Sequence, residues 1–379
     1  MMRHAVVRVG FCLAVGLMVA GCATPPLDQA RRQFYSGQLA EADTSLATIP
    51  ADKDQALYLM ERGMVRHLRH DYEGSSRDWL QAAQVEDKLE TQSATKAGAS
   101  LVVNDTVLAF RGYPYERALL RIFNARNYLA RGTWDDAAVE GRNALRVLEN
   151  LDGFPDDAYS RYMAGLCFEL SGDSGGAEFQ YRAAAQLDPS LGLDAATGRF
   201  MPATGAVVSA SAASPPPPEP STGLPCELVC LVDIAGTSWA PTADYAEIVC
   251  NGRTLGISKT LGRVEQLKWA SEQRTAVKRA VKTGTRWAVK GALVYLAERK
   301  EGLGMLAAMI LFALEAPDTR RWETLPLRLA VARVPCPANL TSFDVLFKNG
   351  SGIVLKRVTL TRPMARRDRV FFAFCRDTP

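Results

Sequence analysis

The stretch AYSRYMAGLCFELSGDSGGAEFQYRAAAQLDP, residues 158–189, decides how the first half of the chain is read. Two runs with apolar residues at helical spacing flank the turn pair Gly172-Asp173. Gly165 and Ala177 are small enough to let two antiparallel helices approach closely. The aromatics Phe168 and Tyr181 fill the groove between them, and Pro189 stops the second helix. A hairpin of this kind cannot bury its apolar face alone, so neighbours of the same type are expected beside it.

Those neighbours are present. The unit resembles a tetratricopeptide repeat (TPR), with Gly165, Phe168, Gly172-Asp173, Ala177, Tyr181, Ala184 and Pro189 at the family's positions. Arg161 stands where that family often has Trp. A second unit carries Ala125, Tyr128, Gly132, Ala137 and Ala144, and departs at Gly141, where an aromatic is expected. A third has Gly63, Asp71-Tyr72, Trp79 and Ala82, with Ser75 in place of Ala. A fourth, sparser unit has Ala30, Gly37 and Ala42. The resemblance implies about four helical hairpins across 27–190, with a longer connection near 86–115 that holds Asn104-Asp105 and Gly112-Tyr113-Pro114-Tyr115. Such hairpins stack into a curved solenoid. Its concave surface implies a partner protein or peptide; a plain scaffold is the alternative.

Outward from the repeats, residues 202–225 lose all periodicity. Ser214-Pro215-Pro216-Pro217-Pro218 sits in an Ala/Ser-rich run, the composition of an extended linker. From 226 the pattern turns to strands. Leu228-Val229-Cys230-Leu231-Val232 is a β-rich run, and 245–250 leads into the turn pair Asn251-Gly252. Residues 327–334, 343–347, 353–360 and 369–375 read as further strands, with Asn349-Gly350 as another turn. Five to seven strands are expected, in a small β-sandwich. The fold class is therefore α + β in two domains: a helical-repeat domain over 22–201, then a β-rich domain over 226–379 with a helical insertion at 264–316.

Within that insertion Arg274, Lys278, Lys282, Arg286 and Lys290 recur every four residues and trace one basic helix face. Contact with an anionic lipid surface or cell-wall polymer is one reading; a solvated face, or one docked on acidic repeats, is the other. Residues 303–314 are apolar all round, and about twelve residues are too few to span a bilayer. Burial in the core is expected, with membrane insertion as the alternative. Then come Ala316-Pro317-Asp318-Thr319-Arg320-Arg321-Trp322-Glu323-Thr324-Leu325-Pro326. Asp318, Arg320, Trp322 and Pro326 form either a functional motif or a structural lock, in which Asp318 caps a turn and pairs with Arg320 while Trp322 plugs the helix–sheet seam.

The chain opens with Arg3 and Arg8, then an apolar run from Val9 to Ala20, then Gly21-Cys22. That order is a secretory signal. Val19-Ala20-Gly21-Cys22 resembles the lipobox of bacterial lipoproteins, which implies cleavage at 1–21 and a lipid attached to Cys22. A plain signal peptide or a short anchor helix remains the alternative. By that family's sorting rule, Ala23 after the cysteine implies the outer membrane, facing the periplasm, rather than inner-membrane retention. With the strands and the 316–334 segment, the whole resembles a family of TPR-containing proteobacterial envelope lipoproteins.

Composition excludes a disordered chain: 47% of residues are hydrophobic and 23% charged. Net charge is only +4, yet residues 23–225 carry −8 and residues 226–379 carry +10. The halves are expected either to dock on each other or to turn the basic one toward an anionic partner other than nucleic acid. Cys226, Cys230, Cys250, Cys336 and Cys375 permit disulfides after export, but an odd number leaves one thiol over. Cys167, within a repeat, reads as a small core residue. No zinc-ligand spacing, phosphate loop or nucleophile-base set is present, so no metal, no cofactor and no catalytic residue is expected. His67 and His70 read as a surface pair. The functional expectation is an envelope adaptor working through its repeats; the alternative is a lipid- or glycan-binding protein using the basic second half.

Overall fold

The computed structural model describes residues 26–50, 52–95, 109–201, 226–236, 242–278, 320–361, 363 and 365–378. Cys22, residues 202–225, Lys282, Arg286, Lys290, the 303–314 run and Asp318 lie outside the described residues.

Four helical hairpins make up the first half: α1 (Pro26–Tyr35) with α2 (Leu39–Ser45), α3 (Gln55–Leu68) with α4 (Tyr72–Thr95), α5 (Pro114–Arg131) with α6 (Trp134–Leu148), and α7 (Ala158–Ser171) with α8 (Ser174–Leu187). The small residues work as their spacing predicts. A Cβ at Gly63 would fall 2.2 Å from the indole Nε1 of Trp79, and one at Gly165 would fall 3.0 Å from the Tyr181 ring. The same sixteen-residue spacing recurs as Ala125 and Gly141. There the aromatic is dispensed with, because the α7 backbone closes in: a Cβ at Gly141 would lie 3.4 Å from Ala164 Cα. Ser75, out of place in the pattern, is buried and its hydroxyl donates to Gly63 O at 2.7 Å. Helix α4 runs to Thr95, well past the expected start of the connection near 86. Each hairpin turns through one left-handed residue, Gly37, His70, Gly132 or Gly172. Of these only His70 has a Cβ to strain against that backbone.

The second half is a sandwich of two sheets. Strands β1 (Cys226–Ile234), β4 (Lys259–Arg263), β5 (Arg328–Cys336), β8 (Ala365–Arg367) and β9 (Val370–Arg376) form one, in the order β4-β5-β1-β9-β8. Strands β2 (Tyr245–Cys250), β3 (Arg253–Ile257), β6 (Phe343–Lys348) and β7 (Val354–Leu360) form the other, in the order β3-β2-β6-β7. The two Asn-Gly turns join β2 to β3 and β6 to β7, as read from sequence. The short strands β3, β4 and β8 were not foreseen. β1 and β9 run parallel. A helix covers 264–278, the described part of the insertion.

β1 is apolar at every position but Glu227 and Asp233 because this sheet is buried on both faces. Leu228, Cys230 and Val232 point into the core between the sheets, whereas Val229 and Leu231 join the core of the helical repeats. Phe371 and Ala373 against Phe372 and Phe374 divide the same way on β9. The molecule is thus three layers: helices, first sheet, second sheet. All six described cysteines are free, and five of them line the inter-sheet core. Cys226 lies opposite Cys336 in the β1–β5 register, and the two thiols remain unpaired.

Candidate functional site

The first helix of every hairpin faces the β-half, so the concave side of the repeats is occupied by the chain itself. Charge does part of this. Arg126 of α5 and Asp233 of β1, both fully buried, make a two-pronged pair at 2.9 and 3.0 Å. The Asp233 carboxylate outweighs the burial that would otherwise discharge Arg126, and the guanidinium stays protonated. Arg333 of β5 grips Glu169 of α7 at 2.6 and 2.9 Å, and its Nε donates to Glu227. The acidic and basic halves therefore dock on each other.

Residues 320–325 are seated among the first helices as an irregular strap that turns at 323–325. Its main chain is met almost entirely by side chains of α1, α3 and α5. The N–H of Trp322 donates to Glu116 Oε1 at 2.7 Å, and Tyr113 N donates to the other oxygen. The N–H groups of Glu323 and Thr324 donate to the two oxygens of Glu61, and the Thr324 hydroxyl adds a bond at 2.6 Å. Arg31 donates to Arg321 O and to Glu61, while Tyr35 and Arg376 donate to the carbonyls of Glu323 and Thr324. A buried segment outside helix and sheet needs partners for its backbone groups; the carboxylates accept from its N–H groups, and Arg31, Tyr35 and Arg376 donate to its carbonyls. Burial pushes the Glu116 carboxyl up to about 7 despite its two backbone donors.

Trp322 is 3% exposed, its ring 6.0 Å from Trp79 and 5.9 Å from Phe123. Its indole N–H donates to Thr324 Oγ1. Pro326 is buried behind it. Arg320 pairs with Asp54 at the start of α3, at 2.5 Å, because the strap runs past that helix end. The expected pairing with Asp318 lies outside the described residues.

The basic helix face starts against the repeats. Arg274 donates twice to Asp152 O at 3.0 and 2.8 Å, and Lys278 pairs with the Asp152 carboxylate, which these cations hold below its usual range. Lys278 also lies 4.6 Å from the Phe154 ring centre. What this helix turns outward is Trp269, 65% exposed, and Val277, 56% exposed.

The surface-pair reading of the histidines is wrong for His67, which is fully buried and stacked on Phe374 at 4.7 Å. Asn127 spends its amide N–H groups on Ser75 and Ser76, so its oxygen faces His67, and Nδ1 of the histidine must be the donor. Burial and nearby Arg126 keep the ring neutral, which leaves Nε2 bare. Arg126, Asp233, Glu61 and Glu116 were likewise not singled out from sequence. Asp233 had a legible signal: it is the one charge within the apolar run 228–234. Among the described residues no cluster of metal-ligating side chains occurs, and no helix is long and apolar enough to cross a membrane.

No family model matches this chain, and no curated protein does. Among solved structures, it is similar to the Rap conjugation gene regulator of the plasmid pLS20 in complex with the Phr* peptide: 17% identity, TM-score 0.29, 42% of this chain covered. The overlap spans 41% of that regulator's own length. MamA MSR-1 C2 overlaps at 14% identity and a TM-score of 0.20, over 43% of this chain and 94% of its own. Overlaps this low transfer nothing about function, and the TPR-like assignment rests on the helix spacing described above.

Proposed function

We propose that this protein is a non-enzymatic envelope scaffold, acylated at Cys22, held at the outer membrane facing the periplasm, and contacting partner proteins through the outer surface of its repeats. The observation that supports it is the bare end of the solenoid. The concave side is filled by the strap and the first sheet. The last helix, α8, instead leaves Phe179 63% and Leu187 44% exposed, and Met201, where the described repeat half ends, is 60% exposed. Phe179, Ala183 and Leu187 follow one another at four-residue steps along one side of α8. The terminal unit of a stacked repeat needs a polar outer face if water is its only neighbour. An exposed apolar stripe there fits a protein contact.

Photo-crosslinking side chains placed at Phe179 and at Leu187, in cells, test this directly. The same protein captured from both, and not from the exposed control position Arg77 on α4, is the expected result. Lipid or glycan fragments captured on 226–379, with no protein at α8, would transfer the role to the basic second half. For the anchor, Cys22→Ala should move the protein out of the membrane fraction; unchanged retention would refute acylation at that residue.

A further inference from the structure

A second feature is independent of the scaffold reading. Where the first two hairpin turns approach the free edge of β7, they enclose a cleft of about 510 Å³. That is within the range of small-molecule sites, roughly 300–1,000 Å³. Leu68, Val358, Leu360 and Phe374 give it apolar walls.

Its charges are unbalanced. Arg376, only 9% exposed, donates through Nη2 to Thr324 O, while Nη1 meets only the Met64 sulfur at 3.8 Å. Its Nε has no hydrogen-bond partner, nor does the buried Thr378 hydroxyl that lines the same cleft. Among the described residues Arg376 forms no ion pair; its guanidinium lies 5.1 Å from the Phe34 ring centre, and burial works against its charge more than the Asp233 and Asp377 carboxylates work for it. Asp233 also lines the floor, but both its oxygens are engaged by Arg126. At the mouth stands Lys356. It lies opposite Phe347 in the β6–β7 register, and Phe347 is in the inter-sheet core, so Lys356 belongs to the inward side of the strand. It has no carboxylate partner among the described residues, whereas Arg357, on the other side, pairs with Asp344. An edge strand with an inward lysine and a register shift beside it is guarded against strand addition. An added peptide strand therefore fits this cleft less well than a compact ligand.

We propose that the cleft binds a single-headed anionic amphiphile, its carboxylate or phosphate between Lys356 and Arg376 and its apolar chain along Leu68, Val358, Leu360 and Phe374. Calorimetric titration of the purified full chain, below micelle formation, tests it with laurate, dodecyl phosphate, dodecanol and acetate. One equivalent of laurate or dodecyl phosphate should bind, with dodecanol and acetate weaker by about tenfold or more, the share of one charge-assisted hydrogen bond. The head group bound more tightly separates a free fatty acid from a phosphate-headed lipid as the source. Lys356→Glu should weaken binding by about tenfold or more. Lys88→Glu, an equally exposed change on α4, should leave it unaltered; both residues are on the surface, so both variants should fold. Equal binding of dodecanol, an indifferent Lys356→Glu, no binding of either anion, or binding of a short poly-glutamate peptide in their place would each overturn the proposal.

Discussion

The concave side of the repeats and their last helix are built from the same kind of hairpin, yet they end up in opposite conditions. On the concave side Glu61 and Glu116 take the backbone N–H groups of Trp322, Glu323 and Thr324, and Trp322 fills the space between Trp79 and Phe123. On α8, Phe179 stands in solvent. The difference teaches that a repeat groove shaped to hold a peptide can be used up in folding its own chain. The surface left for partners is then the one the solenoid's own stacking does not cover.

The comparison breaks first at the buried ion pair. Asp233→Ala strands Arg126 without a counter-charge in the seam and should cost about 3–5 kcal/mol in urea unfolding. Replacing both residues together, Asp233→Leu with Arg126→Met, should recover most of that loss. A double variant as unstable as the single one would mean that packing, and not the uncompensated charge, sets the cost. Next comes the strap: Trp322→Ala removes a buried indole and should destabilise by about 3 kcal/mol or more. If that variant melts like the parent, the strap is not part of the core.

A smaller effect, dependent on pH, concerns Glu86 on α4. Burial pushes its carboxyl up to about 8, against the pull of Arg117 and Arg121, and one oxygen has no partner. The folded protein thus keeps a proton that the unfolded chain releases near the ordinary value of 4.5. Stability from this group is fully present below that value and is lost as pH rises through about 8. Glu86→Gln stays neutral throughout. It should melt like the parent near pH ~5 and above it near pH ~9, by an amount that grows with pH across that window. Smallest of all is Phe179→Ser, expected to change stability by less than about 0.5 kcal/mol. It should nonetheless abolish capture of a partner at α8; a large loss of stability would show the residue to be structural.

The repeats were legible because their packing rule is local: a small residue and a ring sixteen positions apart, with a left-handed turn between them, as in Gly63 with Trp79 and Gly165 with Tyr181. Three of the four strands around the two Asn-Gly turns were legible for the same reason. Short β3 and β8 were missed although each pairs with its neighbour in the chain, whereas β4 is fixed by β5, a partner distant in sequence. His67 misled because Arg66, Arg69 and His70 stand around it in sequence, while the ring that covers it, Phe374, arrives from the far end of the chain.

By itself the sequence determined two kinds of domain and a charge imbalance that left docking and an anionic partner both open. Only the tertiary structure decided where that charge was used: Arg126 with Asp233, Glu169 with Arg333, Asp152 with Arg274 and Lys278. It alone decided that the groove of the repeats is closed. The physical reason is that burial and counter-charge are properties of neighbours in space. Local spacing fixes a helix, a turn or a hairpin, but it does not say which face of each will be left to water.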